Sequence, residues 1–275
     1  VILHWAPSPE IFSFGPLSIR WYGLLFAAGF LIGYRIMDKI YRREGYNPQH
    51  LDQLLIYIIL GTTIGARVGH CIFYEPEIYL RDPIRILYIW EGGLASHGGT
   101  LGNLFAAWLF MKQHAEYSYV WIIDRLVYPI ALAGCLIRLG NVMNSEIIGK
   151  PTGADWGVVF DRVDNVPRYP AQLVEAVIYL ATFFLMKYLY DKTSSWQYRG
   201  RMVGIFLCVV FGSRFFVELI KENQVPFENT LPLNMGQLLS IPFVLAGAAF
   251  IHYSRSRRVE PKVATVKPSK NSKKK

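Results

Sequence analysis

The chain has 275 residues, 52% of them hydrophobic and only 18% charged, with a mean hydropathy of +0.24. Soluble domains carry about a quarter charged residues, so this composition excludes an ordinary water-soluble enzyme. The formal charge of +9 invites a nucleic-acid reading. However, the residues before Arg255 are nearly balanced, so no basic nucleic-acid-binding face is expected.

A bilayer core of about 30 Å takes roughly 20 mostly apolar residues as a helix. Seven stretches qualify: 19–37, 51–73, 94–111, 119–138, 171–190, 202–220 and 235–254. The predicted fold class is an all-α polytopic membrane protein of about seven transmembrane helices. An outward-facing polar cavity and a small extracytoplasmic head are expected with it. Residues 1–254 read as one transmembrane catalytic domain. The first stretch has no basic region before it and no small-residue cleavage site behind it, so it reads as a span and not as a cleaved signal peptide. Lys and Arg favour the cytoplasmic side. With the amino terminus outside, eighteen basic residues fall inside and seven outside, which places the carboxyl terminus in the cytoplasm.

The first span opens on RWYG (Arg20–Gly23), where Tyr22 reads as an anchor in the outer aromatic belt. The segment Ile84–Gly99 brackets His97 with Gly92, Gly93, Gly98 and Gly99 at the mouth of the third span. Irregular backbone at membrane depth survives only against protein or a wet cavity. A histidine there is a candidate base or hydrogen-bond donor near neutral pH, and a structural histidine fits the same pattern.

The fourth span carries Asp124 and Arg125, read as an ion pair that holds helices together. It ends in Gly134–Gly153, which contains Arg138, Asn141, Asn144, Glu146 and Gly149. Arg138 offers planar donors suited to phosphate, and the asparagines offer neutral ones. The segment therefore reads as an anion cradle or, equally, as a helix end with a glycine stop and an external loop. Arg168–Tyr179 reads as a helix start after X-Pro, with Gln172 and Glu175 on neighbouring turns.

Farther on, Arg214 and Glu218 stand four residues apart, on one helical face. A charge near the bilayer centre costs roughly 2.5–3.5 kcal/mol on insertion scales. Arg67, Arg125, Arg138 and Arg214 should therefore face the bundle interior or a wet cavity, with Glu75, Asp124, Glu146 and Glu218 as available partners. Cys71, Cys135 and Cys208 are scattered through apolar spans and form neither a metal motif nor a disulfide set. The tail, 255–275, holds nine basic residues and one acid. Such a composition predicts disorder beside an anionic membrane surface.

These motifs resemble those of the prolipoprotein diacylglyceryl transferases of the bacterial inner membrane. The likeness spans about residues 10–255 and is strongest in RLGNVMNSEIIGKPT (Arg138–Thr152). RWYG, GARVG (Gly65–Gly69), Asp82–Gly99, YPAQLVE (Tyr169–Glu175), Arg214 with Glu218, and MGQLLSIP (Met235–Pro242) are similar as well. The resemblance implies transfer of the diacylglyceryl group of phosphatidylglycerol to the lipobox cysteine of a prolipoprotein signal peptide. A thioether forms and glycerol phosphate leaves, with no metal or soluble cofactor. The expected partners are phosphatidylglycerol, that peptide and membrane lipids.

Carried over by position, the site would comprise Tyr22, His97, Arg138, Asn141, Glu146, Gly149, Arg214 and Glu218, with Asn144 as a further substrate-binding residue. His97 would raise the thiolate fraction as a base or act as a donor, and Arg138 and Arg214 would stabilise the leaving phosphate. Tyr22 and Asn141 would orient the head group, and Glu146 and Glu218 would fix the arginines. The sequence departs from the family pattern at Ser145, Lys150, Tyr169–Ala171 and Lys221, and neither Val210 nor Phe211 offers a hydroxyl. An anionic-phospholipid transporter or flippase without chemistry is the alternative, and a seven-helix receptor a third class. No internal repeat of the transporter kind is visible, and a flippase has no evident use for His97.

Overall fold

The computed structural model describes residues 1–14, 17–88, 93, 95–222 and 232–258. Eight helices are present among them: α1 (Trp21–Glu44), α2 (Pro48–Phe73), the short α3 (Pro76–Arg81), α4 (Ser96–Gln113), α5 (Tyr119–Asn144), α6 (Ala171–Lys192), α7 (Arg201–Val217) and α8 (Met235–Ser254). Four of them, α2, α5, α6 and α8, are long and apolar enough to cross a membrane. The fold is that of a predominantly helical membrane protein. Its elements form two compact units, Val1–Ile36 with Ala107–Arg258, and Met37–Ala106.

Helix starts follow local chemistry. Asn47 caps α2 by accepting from the Gln49 amide (3.0 Å), with Pro48 in the first turn. Ser118 caps α5, and Asn234 and Gln237 form a reciprocal capping box on α8. Two boundaries differ from expectation. The fourth span was expected to end at Arg138 with a glycine stop, but α5 continues to Asn144 and ends at Ser145, which is left-handed at φ 55°. The sixth was expected to reach 220, but after Val217 the amides of Leu219 and Ile220 bond three residues back. That tightening winds the chain off its helical axis.

The chain is not purely α. In the first unit β1 (Ile2–Trp5) pairs in parallel with β4 (Gly157–Phe160), and β2 (Glu10–Phe14) pairs antiparallel with β3 (Leu17–Arg20). Ile148, Val158 and Phe160 form a small buried cluster with Trp5 against it. The Trp5 indole donates to the Val142 carbonyl (2.9 Å), tying β1 to the end of α5. Residues 255–258 of the predicted tail are held in place. Arg258 bridges to Tyr198 and donates to the Gln197 side chain (3.0 Å). From 259 onward the tail expectation lies outside the described residues.

In the second unit α2 and α4 meet along small residues. A Cβ on Gly65 would lie 2.8 Å from the Gly102 Cα, and one on Gly69 the same distance from the Gly98 Cα. Such stripes let helix backbones approach closely. Packing therefore accounts for Gly98, one of the glycines beside His97. Arg67 is buried and donates to the carbonyls of Ile86 (3.0 Å), Arg85 (2.5 Å) and Gly93 (3.4 Å), with the Tyr79 ring 5.0 Å away.

Candidate functional site: a buried ionic network at the end of α5

The site begins with two polar residues one turn apart. Because α5 runs on past Arg138, Arg138 and Asn141 share a face, and the guanidinium Nη1 donates to the Asn141 Oδ1 (3.1 Å). Asn141 in turn donates to Glu146 (3.3 Å), as does Asn144 (3.2 Å). Gly140, between them, takes the ring of Tyr22 from the first turn of α1. A Cβ there would lie 2.7 Å from the Tyr22 Cδ2. Gly140 is thus a contact surface and not a stop. The Tyr22 hydroxyl lies within electrostatic reach of both Glu146 and Arg138.

The loop after α5 is held open by strain and closed by pairing. Ser145 and the β-branched Ile147 both adopt positive φ, 55° and 56°, a conformation that costs a non-glycine residue about 1–2 kcal/mol. Cross-chain hydrogen bonds offset it. The Gly149 amide donates to the Tyr169 carbonyl (3.1 Å), the Lys150 amide to Ile220 (2.8 Å), and the Glu222 amide to Ile148 (3.2 Å). Gly149 pairs with Lys221 in an isolated bridge, and a Cβ on Gly149 would meet the Tyr169 Cβ at 2.7 Å. Only glycine permits that approach.

Arg168 clamps the same loop from outside. It is buried, donates to the Gly149 carbonyl (3.1 Å), and pairs with Asp164 and Glu222, each at 2.6 Å. These hydrogen bonds hold the Asp164 carboxyl below its ordinary range and push the Arg168 guanidinium up. Gln172, fully buried at the start of α6, donates to the Glu146 carbonyl (2.8 Å).

Beneath the loop three cations and two carboxylates are linked in a row. Arg138 Nε lies 2.9 Å from Glu175 of α6. This contact is ionic, with no N–H directed along it. Lys221 Nζ stands 3.4 Å from Glu175 and 3.1 Å from Glu218. Glu218 accepts from Arg214 Nε (3.2 Å) and from Asn234 (3.3 Å). A Cβ on Gly236 would meet the Glu218 Cγ at 2.7 Å, so the glycine at the start of α8 makes room for that carboxylate.

Exposure falls toward the middle of the row: side-chain exposure is 26% at Arg214, 15% at Arg138 and 4% at Lys221. Among the described residues, both Nη groups of Arg214 and Nη2 of Arg138 make no protein hydrogen bond. A small cleft beside them is lined by Glu175, Tyr179, Ser213 and Arg214. The arrangement offers paired, partly accessible guanidinium donors in a fixed frame, which suits a phosphate ester.

The structure thus gathers Tyr22, Arg138, Asn141, Asn144, Glu146, Gly149, Arg214 and Glu218 in the first unit. His97 belongs to the second, where it is exposed in the first turn of α4. Residues 89–92 and 94 of its motif lie outside the described residues. The assignment of Glu146 to fixing an arginine is corrected, because its carboxylate binds the two asparagines while Glu175 pairs with Arg138. Sequence reasoning passed over Glu175 and Lys221. An acid inside an apolar span was the available signal for Glu175. Lys221 had none, since it reads as one more loop cation.

Fold and site together define a polytopic helical membrane protein with an intramembrane anion-type site. The sequence pattern of the prolipoprotein diacylglyceryl transferase family matches residues 9–253. Proteins named phosphatidylglycerol–prolipoprotein diacylglyceryl transferase are similar over nearly full length. The one from Tolumonas auensis is 51% identical over 257 residues, covering 94% of this chain and 99% of that protein. Those from Chloroherpeton thalassium and Bacteroides fragilis are 45% and 43% identical, covering 92% and 91% of this chain and 94% and 95% of theirs. The chain belongs to the prolipoprotein diacylglyceryl transferase family.

Proposed function

We propose that this protein transfers the diacylglyceryl group of phosphatidylglycerol to the lipobox cysteine thiol of prolipoproteins in the bacterial inner membrane. In this reading residues 1–254 form one catalytic domain of seven spans with the amino terminus outside, the carboxyl terminus cytoplasmic and the polar cavity open outward. The single observation that carries it is the ionic row, in which arginines of α5 and α7 are fixed through Glu175, Lys221 and Glu218 while keeping unpartnered Nη groups.

The thiol sulfur attacks the glyceryl CH₂ that bears the phosphate. A C–S bond forms, the C–O bond to phosphate breaks, and glycerol phosphate leaves with the electron pair. Charge concentrates on the leaving phosphate, where Arg138 and Arg214 stabilise it in place of water. A cysteine thiol of pKa near 8.5 is mostly protonated at neutral pH, so its proton must be removed. His97 serves as that base or as a hydrogen-bond donor to the substrate. Tyr22, Asn141 and Asn144 orient the head group. Glu218 holds Arg214, Glu146 holds the asparagines, and Gly149 seats the loop.

The purified protein, given phosphatidylglycerol and a lipobox peptide, should yield a peptide heavier by one diacylglyceryl group. Binding of both substrates without a mass shift would favour a lipid transporter and end the enzyme reading. His97→Gln assayed from pH 6 to 9 separates the two roles of His97. A base role predicts loss of activity that recovers as pH rises and the thiol ionises unaided, whereas a donor role predicts a pH-independent loss.

A further inference from the structure

We propose that Lys221 is a positioning and specificity-determining residue, whose ammonium, shared by Glu175 and Glu218, gives the two arginines the surplus positive charge that selects an anionic head group over a zwitterionic one. The inference rests on the transferase reading above and concerns its lipid substrate.

The argument begins with charge. Without Lys221, Arg138 faces Glu175 and Arg214 faces Glu218, one cation to one carboxylate in each pair. A buried one-to-one pair presents little net field to a ligand. Lys221 Nζ sits within 3.4 Å of Glu175 and 3.1 Å of Glu218 and is 4% exposed. It therefore draws on both carboxylates at once, and the row carries three cations against two anions. At a few ångströms in a poorly solvated site, one unit of charge is worth far more than in water. The third nearby carboxylate, Glu146, is exposed and bonded to Asn141 and Asn144, so water screens it.

Geometry makes Lys221 a frame as well. Its backbone bridges to Gly149, inside the loop that carries Glu146, and its neighbours Ile220 and Glu222 bond to Lys150 and Ile148. Its side chain reaches the partners of both arginines. One residue thus fixes the loop by its main chain and the charged row by its side chain. The chain reaches this position because α7 stops at Val217.

The test compares the full-length wild type, Lys221→Met, Lys221→Arg and the double variant Lys221→Met/Glu175→Gln. For each, binding of short-chain phosphatidylglycerol is measured against short-chain phosphatidylethanolamine, together with the kcat and KM of transfer. Lys221→Met should lose about tenfold of the preference for phosphatidylglycerol, mainly through KM. Lys221→Arg should keep that preference. The double variant should regain most of it, because two cations against one carboxylate restores the surplus. A merely structural lysine predicts the opposite, with the double variant no better than the single. An unchanged preference in Lys221→Met, or no recovery in the double variant, overturns the proposal. Should Lys221→Met not fold, Lys221→Gln carries the same comparison. Because binding preference is read without turnover, a wild type that binds selectively but transfers nothing would refute the transferase reading and leave this inference standing.

Discussion

Two arginines on α5 show how the same residue type can close a structure or open a site. Arg125, near the start of the helix, is 3% exposed and pairs with the fully buried Asp124 at 2.9 Å. Asp124 also accepts from the Val203 amide (2.8 Å), and Arg125 donates to the Trp196 carbonyl (2.6 Å). The rings of Trp121, Trp196 and Tyr190 stand within 6.0 Å of its guanidinium. One cation meets one anion, and aromatic faces cover the remainder. Arg138, four turns later, belongs to a row with more cations than carboxylates and with unpartnered donors at its ends. Burial of charge is common to both. Surplus charge and accessible donors separate the site from the fastening.

The contrast breaks if stability and activity fail together at both places. Asp124→Ala leaves Arg125 buried without its anion, and breaking such a pair costs about 3–5 kcal/mol. The expected result is a large fall in thermal midpoint, with activity per folded molecule near that of the wild type. Arg138→Ala and Arg214→Ala should do the reverse, keeping the midpoint close to wild type and losing roughly 10²–10³ in kcat, the range for a removed charge-stabilising donor. Diacylglyceryl transfer followed by peptide mass, beside thermal unfolding, reads both quantities. Near-normal turnover in either arginine variant would remove its role at the phosphate.

A smaller effect lies between these extremes. Gly149→Ala forces a Cβ against Tyr169 and the paired backbone, at about 1–3 kcal/mol. It should lower both midpoint and activity, because the loop serves fold and site at once. The smallest is a pH effect. Arg168 keeps the folded pKa of Asp164 depressed, so its stabilisation is fully present above the ordinary carboxylate value of roughly 4. It is lost as pH falls through the lowered folded value. The Asp164 side chain is 29% exposed, so the change should stay under about 1 kcal/mol. Asp164→Asn should flatten the wild-type dependence of thermal midpoint on pH below 4, and an unaltered slope would deny the pair its contribution.

Much of the site was legible because spacing fixes neighbours along a helix. Arg214 and Glu218 four residues apart had to share a face, and they pair. Asp124 and Arg125 met as read. Tyr22 and Gly140 were each noticed, but their contact joins residues more than a hundred positions apart and no local rule predicts it. Glu146 was given the wrong partner for the same reason. An arginine's reach along its own chain is visible in sequence, whereas the carboxylate that arrives from another helix is not.

The sequence by itself determined that the chain is apolar, helical and organised in membrane-length segments, because burying a helix in lipid demands long apolar runs whatever surrounds them. It also determined which arginines are too costly to be incidental. Tertiary structure alone decided that Glu175 answers Arg138, that Lys221 stands between two carboxylates, and that Gly140 and Gly149 are contact surfaces. Those outcomes depend on which helices lie side by side, and ionic and steric contacts act over a few ångströms of space regardless of distance along the chain.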